Sequence, residues 1–225
     1  MRRLLGRQLP AAPRIDCEIL QLGGPAYGSW AICPTRVTRG ALIYSFGVGE
    51  DISWDLAMIE RYGATVHAFD PTPRSIAWVQ RQAVPASFVF HEYGIAAYDG
   101  VARFYPPQNP EWVSHTLLED RRGTATGAIA VPVRRFTTIM AELGHEQVDL
   151  IKMDVEGAEY AVVGDLLGAD PVAGGATQIL IEFHHRFPGK GAGDTRACIR
   201  ALGEKGFQPF HVSSTGEDWS FLRDG

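Results

Sequence analysis

Acidic and imidazole side chains recur at the ends of apolar runs, where they could handle a proton or a metal ion. In residues 148–160 (VDLIKMDVEGAEY) the run 148–153 reads as a buried strand, and Asp154 and Glu156 follow it directly. Glu156 and Glu159 are three apart and could share a helix face. Glu159 is equally suited to complement the helix dipole. In residues 179–186 (ILIEFHHR), strand alternation places Glu182 and His184 on one side and His185 on the other. A histidine with a pKa near about 6.5 can take a proton from a substrate hydroxyl at neutral pH. Asp154, Glu182 and His184 could instead hold a divalent ion, magnesium or manganese, that acidifies such a hydroxyl.

A second constellation lies in residues 41–71 (ALIYSFGVGEDISWDLAMIERYGATVHAFDP), which read as strand, glycine turn, helix, strand and acid. Gly47 and Gly49 stand where the chain must turn sharply and a ligand could approach the backbone. Asp70 follows Gly49 by 21 residues, the place where a nucleotide-binding βαβ unit sets its ribose carboxylate. The third glycine of a dinucleotide site is absent, because Ile52 stands there. Glu50 and Asp51 open the helix, and carboxylates there would repel a pyrophosphate. They either cap the helix or meet a cationic ligand. S-adenosylmethionine, with a sulfonium and an ammonium and no phosphate, is the expected cofactor. An NAD-linked oxidoreductase and a non-catalytic nucleoside-binding domain are the competing readings.

Both constellations need a parallel sheet, because ligands of open α/β sheets gather at the strands' carboxyl ends. The pattern supplies one. Strands are expected at 41–46, 65–69, 87–91, 129–133, 148–153 and 178–183, and helices at 50–63, 74–82, 137–143, 157–167 and 195–205. Asp99-Gly100 predicts a two-residue hairpin joining 95–98 to 101–105. A closing hairpin is expected from 207–212 and 219–222. Residues 106–122 read as a surface excursion or substrate lid, and Trp112, Ser114, His115 and the earlier Trp30 are candidate substrate-wall residues. Residues 188–194 are glycine-rich.

The chain has 225 residues, 45% of them hydrophobic, enough for one α/β domain with a sizeable core. Residues 1–40 form an N-terminal extension or edge hairpin, and 41–225 the main domain. Net charge is −5 and no long Lys/Arg run exists, which argues against nucleic acid as a partner. Cys17, Cys33 and Cys198 lack metal-ligand spacing, and a reduced cytoplasmic setting is expected. The basic segment 1–9 lacks a continuous apolar core, and no membrane partner is expected. An N-terminal hairpin at a sheet edge could support a homodimer.

The set YSFGVGEDISWD, HAFDPTP, YGIAA, DLIKMDVEGAEY and ILIEFHH resembles the FkbM family of S-adenosylmethionine-dependent methyltransferases. DLIKMDVEGAEY is its most specific piece, and the resemblance spans about residues 41–222. It implies a Rossmann-like class I methyltransferase fold: a seven-stranded, mostly parallel sheet with an antiparallel last strand and helices on both faces. It further implies O-methylation of a small-molecule or carbohydrate hydroxyl. By the same resemblance Ser45, Phe46, Gly47, Gly49 and Glu50 carry the cofactor, Asp70 its ribose, and Pro71, Tyr93, Gly94 and Ile95 its adenine. Asp154, Glu156, Glu182 and His184 then face the transferable methyl group. From the residues themselves His184 is the expected base, with Asp154 as its alternative or as a ligand; the His184-His185 doublet resembles only some relatives. The first motif reads SFGVGED where many relatives have a D-x-G-x-N type sequence.

Overall fold

The computed structural model describes residues 15–24, 28–104, 128–187 and 189–223. In chain order its elements are β1 (Leu20–Leu22), β2 (Trp30–Ile32), β3 (Leu42–Phe46), α1 (Ser53–Tyr62), β4 (Thr65–Phe69), α2 (Pro73–Val79) and β5 (Phe88–His91). Next come β6 (Gly94–Ile95), β7 (Gly100–Phe104), β8 (Ile129–Arg134), α3 (Phe136–Leu143), β9 (Leu150–Met153) and α4 (Glu159–Leu167). The chain closes with β10 (Gln178–Glu182), α5 (Ala192–Glu204), β11 (Phe207–Val212) and β12 (Asp218–Arg223). No helix among the described residues is long and apolar enough to cross a membrane.

Seven strands form one sheet in the order β11-β12-β10-β9-β3-β4-β5. β3, β4, β5, β9 and β10 run parallel, while β12 is antiparallel to both β10 and β11. This is the seven-stranded, mostly parallel sheet that the resemblance implies, and its strand order reverses between β3 and β9. A ligand crevice opens there because the connections leave to opposite faces. Apolar residues cover both faces of the central strands, as a parallel sheet demands. Tyr44, Phe46, Phe69, Ile151 and Met153 pack with α3, α4 and α5, and Ile43, Val66, Ala68, Leu150 and Leu180 pack with α1.

The N-terminal hairpin β1–β2 joins the second of these layers through Trp30 and Ile32. It is pinned to the sheet's face rather than its edge. Gln178 Oε1 accepts from the Cys33 amide at 2.8 Å, and the Ser220 hydroxyl donates to the Ala31 carbonyl at 2.8 Å.

Two local expectations change. Asp99-Gly100 closes no hairpin, because β8 lies between β6 and β7, parallel to the first and antiparallel to the second. The Asp99 carboxylate accepts from the Arg135 amide at 2.8 Å and the Thr138 hydroxyl at 2.9 Å, so it satisfies the N-terminus of α3 instead. Helix α1 starts at Ser53, three residues later than expected, and Asp51 accepts from the Ser53 amide at 2.7 Å.

A histidine ladder lies on the α3 side of the sheet. His67 Nδ1 and His91 Nε2 are 2.9 Å apart, and the Tyr44 hydroxyl meets His145 Nδ1 at 2.7 Å. Burial, together with His91 and His145, pushes the His67 pKa down to about 4. Such a group takes its proton first in the unfolded chain, whose histidines titrate near about 6.5. Its contribution is complete above that pH and is lost as pH falls toward about 4. His67→Phe removes this titration, so wild type should lose stability relative to the variant between about pH 7 and pH 4.5. Urea unfolding at both pH values checks it, and a gap independent of pH would exclude the ladder as an acid-sensitive element.

Candidate active site

The glycine turn after β3 has two different reasons for its two glycines. Gly47 has φ +75°, and a Cβ there would sit 1.6 Å from the Asp154 carbonyl oxygen. The turns after β3 and β9 therefore touch backbone to backbone, and the Asp154 amide donates to the Phe46 carbonyl at 2.9 Å. Gly49 has φ +56° and open space at its Cβ position. Gly47 serves the fold, and Gly49 leaves room for a ligand.

Asp70 holds that turn from the end of β4. One carboxylate oxygen accepts from the Gly49 amide at 3.0 Å, and the other from the Thr72 amide at 2.9 Å and hydroxyl at 2.7 Å. A carboxylate has about four acceptor positions, so about one remains for a ligand. The two acids that precede α1 are engaged: Asp51 accepts from the Ser53 amide at 2.7 Å, and Glu50 pairs with Arg74 at 2.7 Å.

Beside this turn lies a cavity of ≈ 960 Å³. Phe46, Gly47, Gly49, Glu50, Asp70, Pro71, Gly94 and Ile95 line it toward β4, and Trp30, Asp154, Glu156 and Glu182 line it toward β9 and β10. Three expected site residues stand back from its wall. Ser45 is fully buried on the face of β3 opposite Phe46. The Tyr93 ring packs on Phe69 and His91 at 5.5 Å from each. His184 is 7% exposed and lies behind the acids. Trp112, Ser114 and His115 fall outside the described residues. Lys152 and Asp218 also line the cavity, and the sequence reading missed both.

His184 is organised by Glu159, a carboxylate with no exposed surface. Glu159 accepts from the Gly157 and His184 amides, each at 2.8 Å, and from His184 Nδ1 at 3.3 Å. The other ring nitrogen, Nε2, then faces Glu156 at 3.3 Å, Asp154 at 3.6 Å and Glu182 at 3.8 Å. Glu156 adopts φ +51°, a left-handed conformation that costs a non-glycine residue roughly 1–2 kcal/mol. Burial opposes charge on His184, but the Glu159 hydrogen bond and the Asp154 and Glu156 carboxylates outweigh it and lift its pKa to about 10. Burial and the neighbouring Asp154 raise Glu182 to about 8. Burial likewise raises Asp154, against the pull of His184. Asp154, Glu182 and His184 each present a ligand atom within 4.8 Å of the others, a donor set suited to a hard divalent ion.

A profile of the Methyltransferase FkbM domain matches residues 40–209. The chain belongs to the FkbM methyltransferase family. It is 27% identical over 208 residues to "Probable methyltransferase-like protein 24" of Rattus norvegicus, covering 84% of this chain and 50% of that protein. The protein of the same name from Homo sapiens is 26% identical over 206 residues, covering 83% and 49%. The chain thus spans about half the length of these relatives. Among solved structures, Methanococcus jannaschii fibrillarin superposes with a TM-score of 0.47 at 11% identity, over 97% of this chain and 87% of that one. The family profile takes in the glycine turn, Asp70 and the whole acid cluster. The FkbM family brings S-adenosylmethionine as cofactor, and the cavity fits it: Gly49 leaves space beside an acceptor on Asp70.

Three substitutions test this arrangement. Gly47→Ala should abolish folding, because backbone blocks the methyl group, whereas Gly49→Ala should fold at a cost of about 1–2 kcal/mol. Gly49→Ala should also weaken S-adenosylhomocysteine binding at least about tenfold, or about 1.4 kcal/mol, by calorimetry. Glu159→Ala leaves a buried imidazole without its carboxylate and should cost about 3–5 kcal/mol in urea unfolding. A loss below about 1 kcal/mol would mean that Glu159 does not organise the cluster.

Proposed function

We propose that this FkbM-family domain transfers the methyl group of S-adenosylmethionine to a hydroxyl oxygen of a small molecule or sugar. The observation that carries the reading is the Asp154, Glu156, Glu182 and His184 cluster at the cavity end opposite Asp70. A hydroxyl must lose its proton as it attacks a sulfonium methyl, and this cluster is where a proton can go.

The residues divide the work. Asp70 and the amide-bounded turn at Gly49 hold the nucleoside, and Pro71 and Gly94, whose Cβ position lies 3.1 Å from the Pro71 ring, bound one wall. Positioning of the two reactants then supplies most of the rate. His184, held as an imidazolium, is in the wrong state to take the acceptor's proton. Its charge instead draws Asp154, Glu156 and Glu182 together, and a carboxylate takes the proton. Glu182, raised to about 8, takes the proton in its ionised fraction, which grows as pH rises toward that value. The net charge of −5 favours a small acceptor over nucleic acid, and a cytoplasmic setting is part of the same reading.

One observation favours a variant in which a magnesium or manganese ion takes the place of the His184 proton. Glu159 bonds the Nδ1 side of the ring and leaves Nε2 toward Asp154 and Glu182, the arrangement of a metal-bound histidine with an outer carboxylate. When bound, such an ion would lower the pKa of a hydroxyl.

Calorimetry with S-adenosylmethionine, S-adenosylhomocysteine and NAD, followed by methyl-label transfer to a panel of hydroxylated acceptors, tests the reading. Micromolar binding of the first two without NAD is expected, and NAD binding alone would overturn it. Transfer that survives chelation supports the carboxylate base. Transfer lost with a chelator and restored by magnesium or manganese supports the metal variant.

A further inference from the structure

Lys152 is a buried cation in the cavity wall, within electrostatic reach of Asp55 and Asp154 but in direct contact with neither carboxylate. It sits on β9 opposite Ser45 of β3 and is 4% exposed. Leu150, two residues earlier on the same face, belongs to the apolar layer beneath the N-terminal hairpin. An ammonium has three N–H donors. One goes to the Gly47 carbonyl at 3.2 Å, and the Trp30 ring centroid lies 5.3 Å away. Among the described residues no carboxylate comes within ion-pair distance of 4.0 Å. Burying a charge with so few partners is costly unless a ligand completes its shell.

The cavity's other charges narrow the ligand. Arg74 also lines it but is paired with Glu50 at 2.7 Å. Asp154, Glu156, Glu182 and Asp218 make the far end acidic. Asp55, on α1 at the same face, is buried; burial raises its carboxyl pKa and the Lys152 charge lowers it, and its carboxylate lies beyond ion-pair distance of the ammonium. Lys152 is thus the one cavity-lining cation among the described residues with no carboxylate oxygen within 4.0 Å. A ligand whose ribose meets Asp70 extends past the glycine turn toward β9, and Lys152 bonds the carbonyl of that turn.

We propose that Lys152 binds the carboxylate of the cofactor's amino-acid tail, so that the domain selects an amino-acid-bearing nucleoside over the bare nucleoside. The inference rests on the S-adenosylmethionine reading above. It divides the cavity by charge: the tail's carboxylate goes to Lys152, and the acids beyond remain available to the acceptor. Gly28, Ser29 and Trp30, which line the same wall, place the N-terminal hairpin over the tail.

The test compares S-adenosylmethionine with its decarboxylated form, which keeps the sulfonium and the ammonium and lacks only the carboxylate. Wild type should prefer the intact cofactor at least about tenfold by calorimetry. Lys152→Met, which keeps the stem's bulk, should bring the two affinities within about threefold, and Lys152→Arg should retain the preference. Circular dichroism and urea unfolding establish that each variant folds. If Lys152→Met does not fold, the preference in wild type and in Lys152→Gln decides. An unchanged preference in a folded variant lacking the charge overturns the assignment. Equal losses for both ligands overturn it too, since they would mean that Lys152 only props the glycine turn through Gly47. Absence of binding of either form to wild type would overturn the cofactor reading itself, and the Lys152 role with it.

Discussion

The arrangement of the site depends on one buried carboxylate. Glu159 has no exposed surface, yet it ties the amide of Gly157, in the turn after β9, to the amide and ring of His184, past the end of β10. A charge in that position is tolerable only because three donors converge on it. The ends of two neighbouring strands are thereby locked in relative position. His184 cannot rotate without breaking the Glu159 contact, so its second nitrogen stays among Asp154, Glu156 and Glu182. The strain at Glu156 is held by the same surroundings, as a left-handed side-chain-bearing residue requires.

A second constraint acts one strand over. Gly47 is a glycine because Asp154's backbone occupies the space of a side chain. The glycine turn and the acid cluster are thus parts of one contact. Asp70 extends the chain of dependence to β4, since the oxygen that holds the Gly49 amide belongs to a carboxylate also held by Thr72. Displacing any of the three turns moves the other two. Such coupling suits a reaction whose rate comes from placing two reactants in line.

Much of this was legible from residue types. Apolar runs ending in Gly47, Asp70, Asp154 and Glu182 located four strand ends at one rim, because a parallel sheet delivers those ends together. Hydrogen bonds that cross the chain were not legible. Glu159 read equally well as a dipole-complementing residue, and only its partner 25 positions away separates the roles. Asp99-Gly100 carried a strong hairpin signal, but its carboxylate found the N-terminus of α3 from 36 positions away. Lys152 went unread because a charge inside an apolar run carries no sign of where it points. Strand alternation could have placed it opposite Met153, on the side of Leu150, but the hairpin that covers it there is set by tertiary packing.

The charge pattern of the cavity follows from these placements. Acids at strand ends accumulate where amides and turns can satisfy them, and here they would repel one another without a positive group in their midst. His184 meets that need in the described structure, and a divalent ion would meet it in the same place, since both are cations at the focus of the same oxygens. The two versions of the chemistry differ in what fills one position, while the scaffold is common to both. Glu159 serves either, because a carboxylate on Nδ1 stabilises an imidazolium and also turns Nε2 outward as a ligand. The fold therefore fixes where the cation among these oxygens must sit more tightly than it fixes which cation that is.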